Sequence, residues 1–76
     1  MVFEKVCKIL ADQFGVAENS LNMDTAFIED LGADSLDLVE LMMSIEEEFV
    51  IGEIDEAEAA SMKTIGDLVR RIGEDD

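Results

Sequence analysis

Gly32-Ala33-Asp34-Ser35-Leu36-Asp37-Leu38-Val39-Glu40-Leu41-Met42-Met43-Ser44-Ile45-Glu46-Glu47-Glu48-Phe49 is the stretch on which the fold turns. Leu36, Val39, Met42, Met43, Ile45 and Phe49 recur at helical spacing, which predicts a helix from Ser35 to Phe49. Asp34 and Asp37 stand three residues apart at its start. There a carboxylate caps free N–H groups and suits the positive end of the helix dipole. Glu46, Glu47 and Glu48 crowd the opposite end, where acids oppose the dipole. Placement so unhelpful to the helix suggests a role other than stability.

Outward from this helix the same period recurs twice. Phe3, Cys7, Leu10 and Phe14, flanked by Val2, Val6 and Ile9, form one stripe that Gly15 ends. Thr64 reads as an N-cap with Asp67 three residues on, and Ile65, Leu68, Val69 and Ile72 make an apolar face after it. Asp55 to Ala60 is long enough for one short helix after the break at Gly52. Between Val16 and Ala33 the pattern dissolves into turn formers (Asn19-Ser20, Asn22, Asp24-Thr25) spaced by Leu21, Met23, Phe27, Ile28 and Leu31. A connection of that length tends to be functional. The expectation is an all-α fold: a small bundle of three longer helices and a short third one, with a long loop between helices 1 and 2. One domain spans residues 1–76 on this reading.

Composition narrows the chemistry. Five basic against 20 acidic residues give a net charge of −15, with no His, Trp or Tyr and one Cys among 76 residues. Hydrophobic residues at 49% supply a core, so a disordered acidic tail is excluded. Phosphate backbones and anionic membrane surfaces are poor partners for this charge. Without His, and with Cys7 alone, neither a Ser-His or Cys-His pair nor a zinc site can form within the chain. No catalytic residue and no metal is expected. No apolar run approaches the ~20 residues that span a bilayer. Met1-Val2-Phe3-Glu4-Lys5 does not read as a signal peptide. A cytoplasmic monomer is the expectation. The acids are also localised: 12 lie between Glu29 and Glu58, with no base among them. That field would draw basic surfaces of other proteins.

Ser35 admits two readings. Serine commonly starts helices, and capping alone would explain it. Alternatively, Gly32 lets another backbone approach, the helix start favours a phosphate, and the acids form a landing surface. Here the sequence resembles a known family. Phe27-Ile28-Glu29-Asp30-Leu31-Gly32-Ala33-Asp34-Ser35-Leu36-Asp37, with Val39-Glu40-Leu41 and Ile45-Glu46-Glu47-Glu48-Phe49, is similar to the acyl carrier proteins of dissociated (type II) fatty acid synthesis. The likeness runs from Phe14-Gly15-Val16 to Thr64-Ile65-Gly66-Asp67-Leu68-Val69.

The resemblance implies that Ser35 carries covalent 4′-phosphopantetheine, added from coenzyme A by a phosphopantetheinyl transferase. The arm's thiol would hold acyl chains as thioesters, so the chain needs no reactive residue of its own. It implies a docking face of Asp34, Leu36, Asp37, Glu40, Met43, Glu46 and Glu47 for fatty acid synthesis enzymes with basic patches, acyltransferases included. Phe27, Ile28, Leu41, Met42, Ile45, Ala59, Ala60, Met62 and Leu68 match positions lining the family's yielding core. Two departures stand out. Val50-Ile51-Gly52-Glu53-Ile54-Asp55-Glu56 lacks the proline common in the family and runs one residue longer. Leu38 stands where a small polar residue is expected. Carriers of polyketide, aminoacyl or D-alanyl groups, and a non-carrier acidic interaction module, are the competing readings.

Overall fold

The computed structural model describes residues 2–49 and 51–73. Met1, at the start of the sequence, and Val50, in the segment without proline, lie outside them. Among the described residues four α-helices follow in order: α1 (Val2–Phe14), α2 (Ser35–Glu48), α3 (Glu56–Ser61) and α4 (Ile65–Gly73). The all-α bundle with a short third helix is as expected. A 3-10 turn at Glu18–Ser20 interrupts the long first connection.

Each helix ends where the local chemistry says it should. Gly15 takes φ +68° and donates its N–H to Ala11 O at 2.9 Å, closing α1. Asp34 caps α2 by a reciprocal pair: its carboxylate accepts the Asp37 N–H at 3.0 Å, and Asp37 accepts the Asp34 N–H at 3.1 Å. Thr64 and Asp67 make the same exchange at α4, at 3.2 Å each way. Asp67 also accepts the Lys63 N–H at 2.9 Å. These two backbone donors, with the Arg70 guanidinium, hold the Asp67 carboxyl below its ordinary range. The start of α3, in the segment that lacks the expected proline, is set instead by Asp55, which accepts the Glu58 N–H at 2.7 Å. The helix begins one residue later than the sequence suggested.

The core is built from three helices and the loop. Val6 and Leu10 of α1, Leu41 and Ile45 of α2, Ile65, Leu68 and Ile72 of α4, and Phe27 of the loop are all but completely buried. Each such side chain contributes about 1.5–3 kcal/mol on burial. Cys7 is buried with them. No residue of α3 is buried. That helix lies against α2 and is tied to α4 by the ion pair of Glu58 with Arg71. Arg70 and Arg71, placed by sequence in the last turn of α4, are thus engaged with carboxylates as well as with the helix dipole.

The loop is knitted to α4 rather than left loose. Phe27 N–H donates to Lys63 O and Ile65 N–H to Thr25 O, both at 3.0 Å, an isolated antiparallel bridge centred on Ala26 and Thr64. Gly66 N–H reaches Met23 O at 2.8 Å. Asn22 organises the turn before it, accepting the Asp24 N–H on its side chain at 2.8 Å. Of the loop's apolar anchors, Leu21 and Phe27 are buried, whereas Met23 and Ile28 stay on the surface.

Candidate functional site

Ser35 is the first helical residue of α2, one position past the cap. Asp34 does the capping, so the simple explanation of the serine as a cap is not what the structure shows. Ser35 is exposed, and among the described residues its hydroxyl has no hydrogen-bond partner. The N–H groups of Ser35 and Leu36 are likewise left over at the helix start, donors suited to a phosphate. The Asp34 and Asp37 carboxylates beside them work against an anion, so added positive charge from outside would help one to settle. Gly32, at φ +68°, turns the chain into this site and brings the Ala33 N–H onto Phe27 O at 3.0 Å.

The residues predicted for docking fall into two groups. Leu36, Glu40, Met43 and Glu47 follow one another at helical spacing and are all exposed, Leu36 at 74% and Met43 at 59%. Large apolar side chains held in water between acids are unusual on a bundle that buries its other helices' apolar faces well. Asp34, Asp37 and Glu46 instead have structural duties. The first two close the capping box, and Glu46 Oε2 accepts the Ile54 N–H at 2.7 Å. The expectation that the acids ending α2 serve no stabilising purpose is therefore corrected for Glu46, whose carboxylate reaches back to the turn leading into α3. On the α1 side, Met43, Glu40 and Glu47 border an open groove of about 630 Å3 with Ile9, Asp12 and Glu48. That groove does not open beside Ser35.

The cleft that does adjoin Ser35 lies between α2 and α3, with two more near it. Ser35, Leu38, Val39, Glu56, Ala59 and Ala60 line one of about 290 Å3. Phe27, Ile28, Met62 and the same Leu38 and Ala60 border a second of about 470 Å3 under the loop. Val39, Met42, Ala59 and Ile54 line a third, about 220 Å3. Among the predicted interior residues, Phe27, Ile28, Met42, Ala59 and Met62 thus face a cleft, Ile28 from an exposed rim. Leu41, Ile45 and Leu68 are packed core with no measurable exposure and face none of these clefts. Ala60, which the resemblance also places along the core, borders two of these clefts, and so does Leu38, the leucine that departs from the family pattern.

Cys7 is no rival nucleophile. It is 3% exposed, and burial, with Glu18 and Glu4 nearby, pushes its thiol up from the ordinary value. Among the described residues no cluster of His, Cys, Asp or Glu could hold a metal ion, and no helix is long and apolar enough to cross a membrane.

A family profile described as "Phosphopantetheine attachment site" matches residues 4–72. The chain belongs to the acyl carrier protein family. It is 53% identical over 72 residues to an acyl carrier protein of Clostridium acetobutylicum, covering 95% of this chain and 92% of that one. It is 48% identical over 73 residues to an acyl carrier protein of Clostridium perfringens, covering 96% and 95%. A solved structure of the acyl carrier protein from Enterococcus faecalis matches with a TM-score of 0.83 at 29% identity, over 99% of this chain and 94% of that one. The role is that of an acyl carrier, its cofactor is 4′-phosphopantetheine, and fatty acid synthesis is the setting typical of the family. Carriers of this family interact with a phosphopantetheinyl transferase and with fatty acid synthesis enzymes.

Proposed function

We propose that Ser35 is the attachment point of the arm and that the chain is a non-catalytic carrier of fatty acyl groups, working as a cytoplasmic monomer. The observation that carries this reading is an exposed serine without a hydrogen-bond partner among the described residues, at the start of the most acidic helix and on the rim of an apolar cleft. The arm supplies a thiol that holds the acyl group as a thioester, which the buried Cys7 could not do. The chain's own contribution is position. The capping box fixes the first turn of α2, so the Ser35 hydroxyl is presented to a transferase without first being released from a bond.

Leu36, Glu40, Met43 and Glu47 are the face that meets partner enzymes, acyltransferases among them. Single exposed ion pairs are worth about 0.2–1 kcal/mol. Their sum therefore speeds encounter and is weakened by salt, as suits a carrier that must leave each enzyme again. The test is direct. Incubated with coenzyme A and a phosphopantetheinyl transferase, the apo protein should gain the mass of one arm, and Ser35→Ala should gain none. Equal gain by the variant would overturn the assignment.

A further inference from the structure

The open groove between α1 and α2 has a tie between the two helices at either end. At one end Gln13 Nε2 donates to Asp37 O at 2.8 Å. At the other the Lys5 ammonium lies over the Phe49 ring, 5.9 Å from its centroid. Between these ties α2 runs about 18 Å and α1 about 12 Å at the helical rise. Ile9 and Met43 give the groove an apolar middle, with Asp12 on the α1 wall and Glu40, Glu47 and Glu48 on the α2 wall. All four acids and Met43 are exposed, and Ile9 is half-buried. Lys5 and Lys8, the bases of α1, belong to neither wall. None of the four carboxylates makes an ion pair among the described residues. Carboxylates that face one another across a groove repel and add nothing to the stability of the bundle. Cations set between them would remove that repulsion.

We propose that this groove is a second docking surface, for a short basic amphipathic helix of a partner protein. The helix seats one apolar side chain between Ile9 and Met43. It sets Lys or Arg a turn to either side, against Asp12 with Glu40 and against Glu47 with Glu48. Charge complementarity selects a basic occupant over an acidic one or a second copy of this chain. A helix fits because its side chains repeat at the spacing of the walls, and the groove takes about two to three turns. The face already assigned to partner enzymes runs along α2 past Leu36 toward Ser35. This surface turns the other way, onto α1, and reaches neither Ser35 nor α3. Its occupant therefore binds the chain equally well whether or not Ser35 is modified, and the inference does not depend on the carrier reading.

The test uses an alanine-based helical peptide of about twelve residues, roughly three turns, with arginine four residues to either side of a central leucine. A scrambled peptide of the same composition is its control. Binding is followed by backbone amide NMR shifts and by the dissociation constant at low salt. Shifts should gather at Ile9, Asp12, Gln13, Glu40, Met43 and Glu47, with α3 still. Replacing the peptide's leucine by alanine should weaken binding about tenfold. Asp12→Asn, at an exposed position, should weaken it about threefold without changing the melting temperature. Glu53→Gln makes the same change of charge on the turn before α3 and should leave binding as it was. Ser35→Ala and the arm-bearing protein should bind as the unmodified wild type does. Equal binding of the scrambled peptide, no saturable binding, shifts on α3, equal effects of Asp12→Asn and Glu53→Gln, or an affinity that depends on the arm would each overturn the proposal. Failure of Ser35 to gain the arm would overturn the carrier reading alone.

Discussion

Replacing Gly66 by alanine should destabilise this protein, although it puts a better helix former into a helix. A Cβ at position 66 would stand 2.9 Å from Met23 O, a distance that carbon and oxygen do not tolerate. The obstacle is backbone, so no side chain can swing aside. The same oxygen accepts the Gly66 N–H at 2.8 Å, tying the loop to the first turn of α4. Relieving the clash means lengthening that bond, a loss of about 0.5–1.5 kcal/mol. Displacing a packed loop adds about 1–3 kcal/mol. Against this, alanine gains up to about 1 kcal/mol of helix propensity in a helix interior, and less in a first turn. A net loss near 2.5 kcal/mol follows, which lowers the melting temperature of a domain this size by roughly 10–20 °C. Thermal unfolding followed by circular dichroism, at fixed salt and pH, measures it. Gly73→Ala is the control, because a Cβ there meets nothing within 4 Å. It should be neutral or slightly stabilising. A Gly66→Ala protein that melts at or above the wild type would refute the claim that this close approach anchors the loop.

The remaining predictions concern charge. Glu46→Gln should lower stability by about 1 kcal/mol by weakening the bond to Ile54 N–H. Glu40→Gln and Glu47→Gln should leave melting unchanged and slow association with a basic partner, as stopped-flow binding at low salt would show. The folded-state pKa of Asp67 lies below its ordinary value, so its stabilisation is complete above about pH 4 and is lost as pH falls through the folded value. Asp67→Asn should therefore be less stable at neutral pH, with the two melting curves converging in acid. The acids between residues 29 and 58 repel one another in the folded state, so added salt or divalent cations should raise the melting temperature, and an unresponsive melt would count against that repulsion.

Much of this was legible without coordinates. Helical spacing, Gly15, Asp34 with Asp37, and Thr64 with Asp67 are local signals, each decided within one or two turns of chain. They located all four helices to within a residue or so. The context of Ser35 was equally local. What stayed hidden was every relation across the bundle. Leu41, Ile45 and Leu68 carry the same apolar signature as Met42 and Met62, and periodicity cannot say which of them fills the core and which borders a cleft. The docking acids look alike in sequence, yet Glu46 bonds a turn eight residues on while Glu47 is exposed.

The sequence by itself therefore determined the class of fold, the charge and its placement, and the candidate serine, because these depend on residue types and short spacings. The tertiary structure alone decided that Gly66 must admit the Met23 carbonyl, that Glu46 bonds the turn before α3, and that Leu38 borders two clefts. These depend on how closely separate segments approach, a quantity that is not written in the order of residues along any one of them.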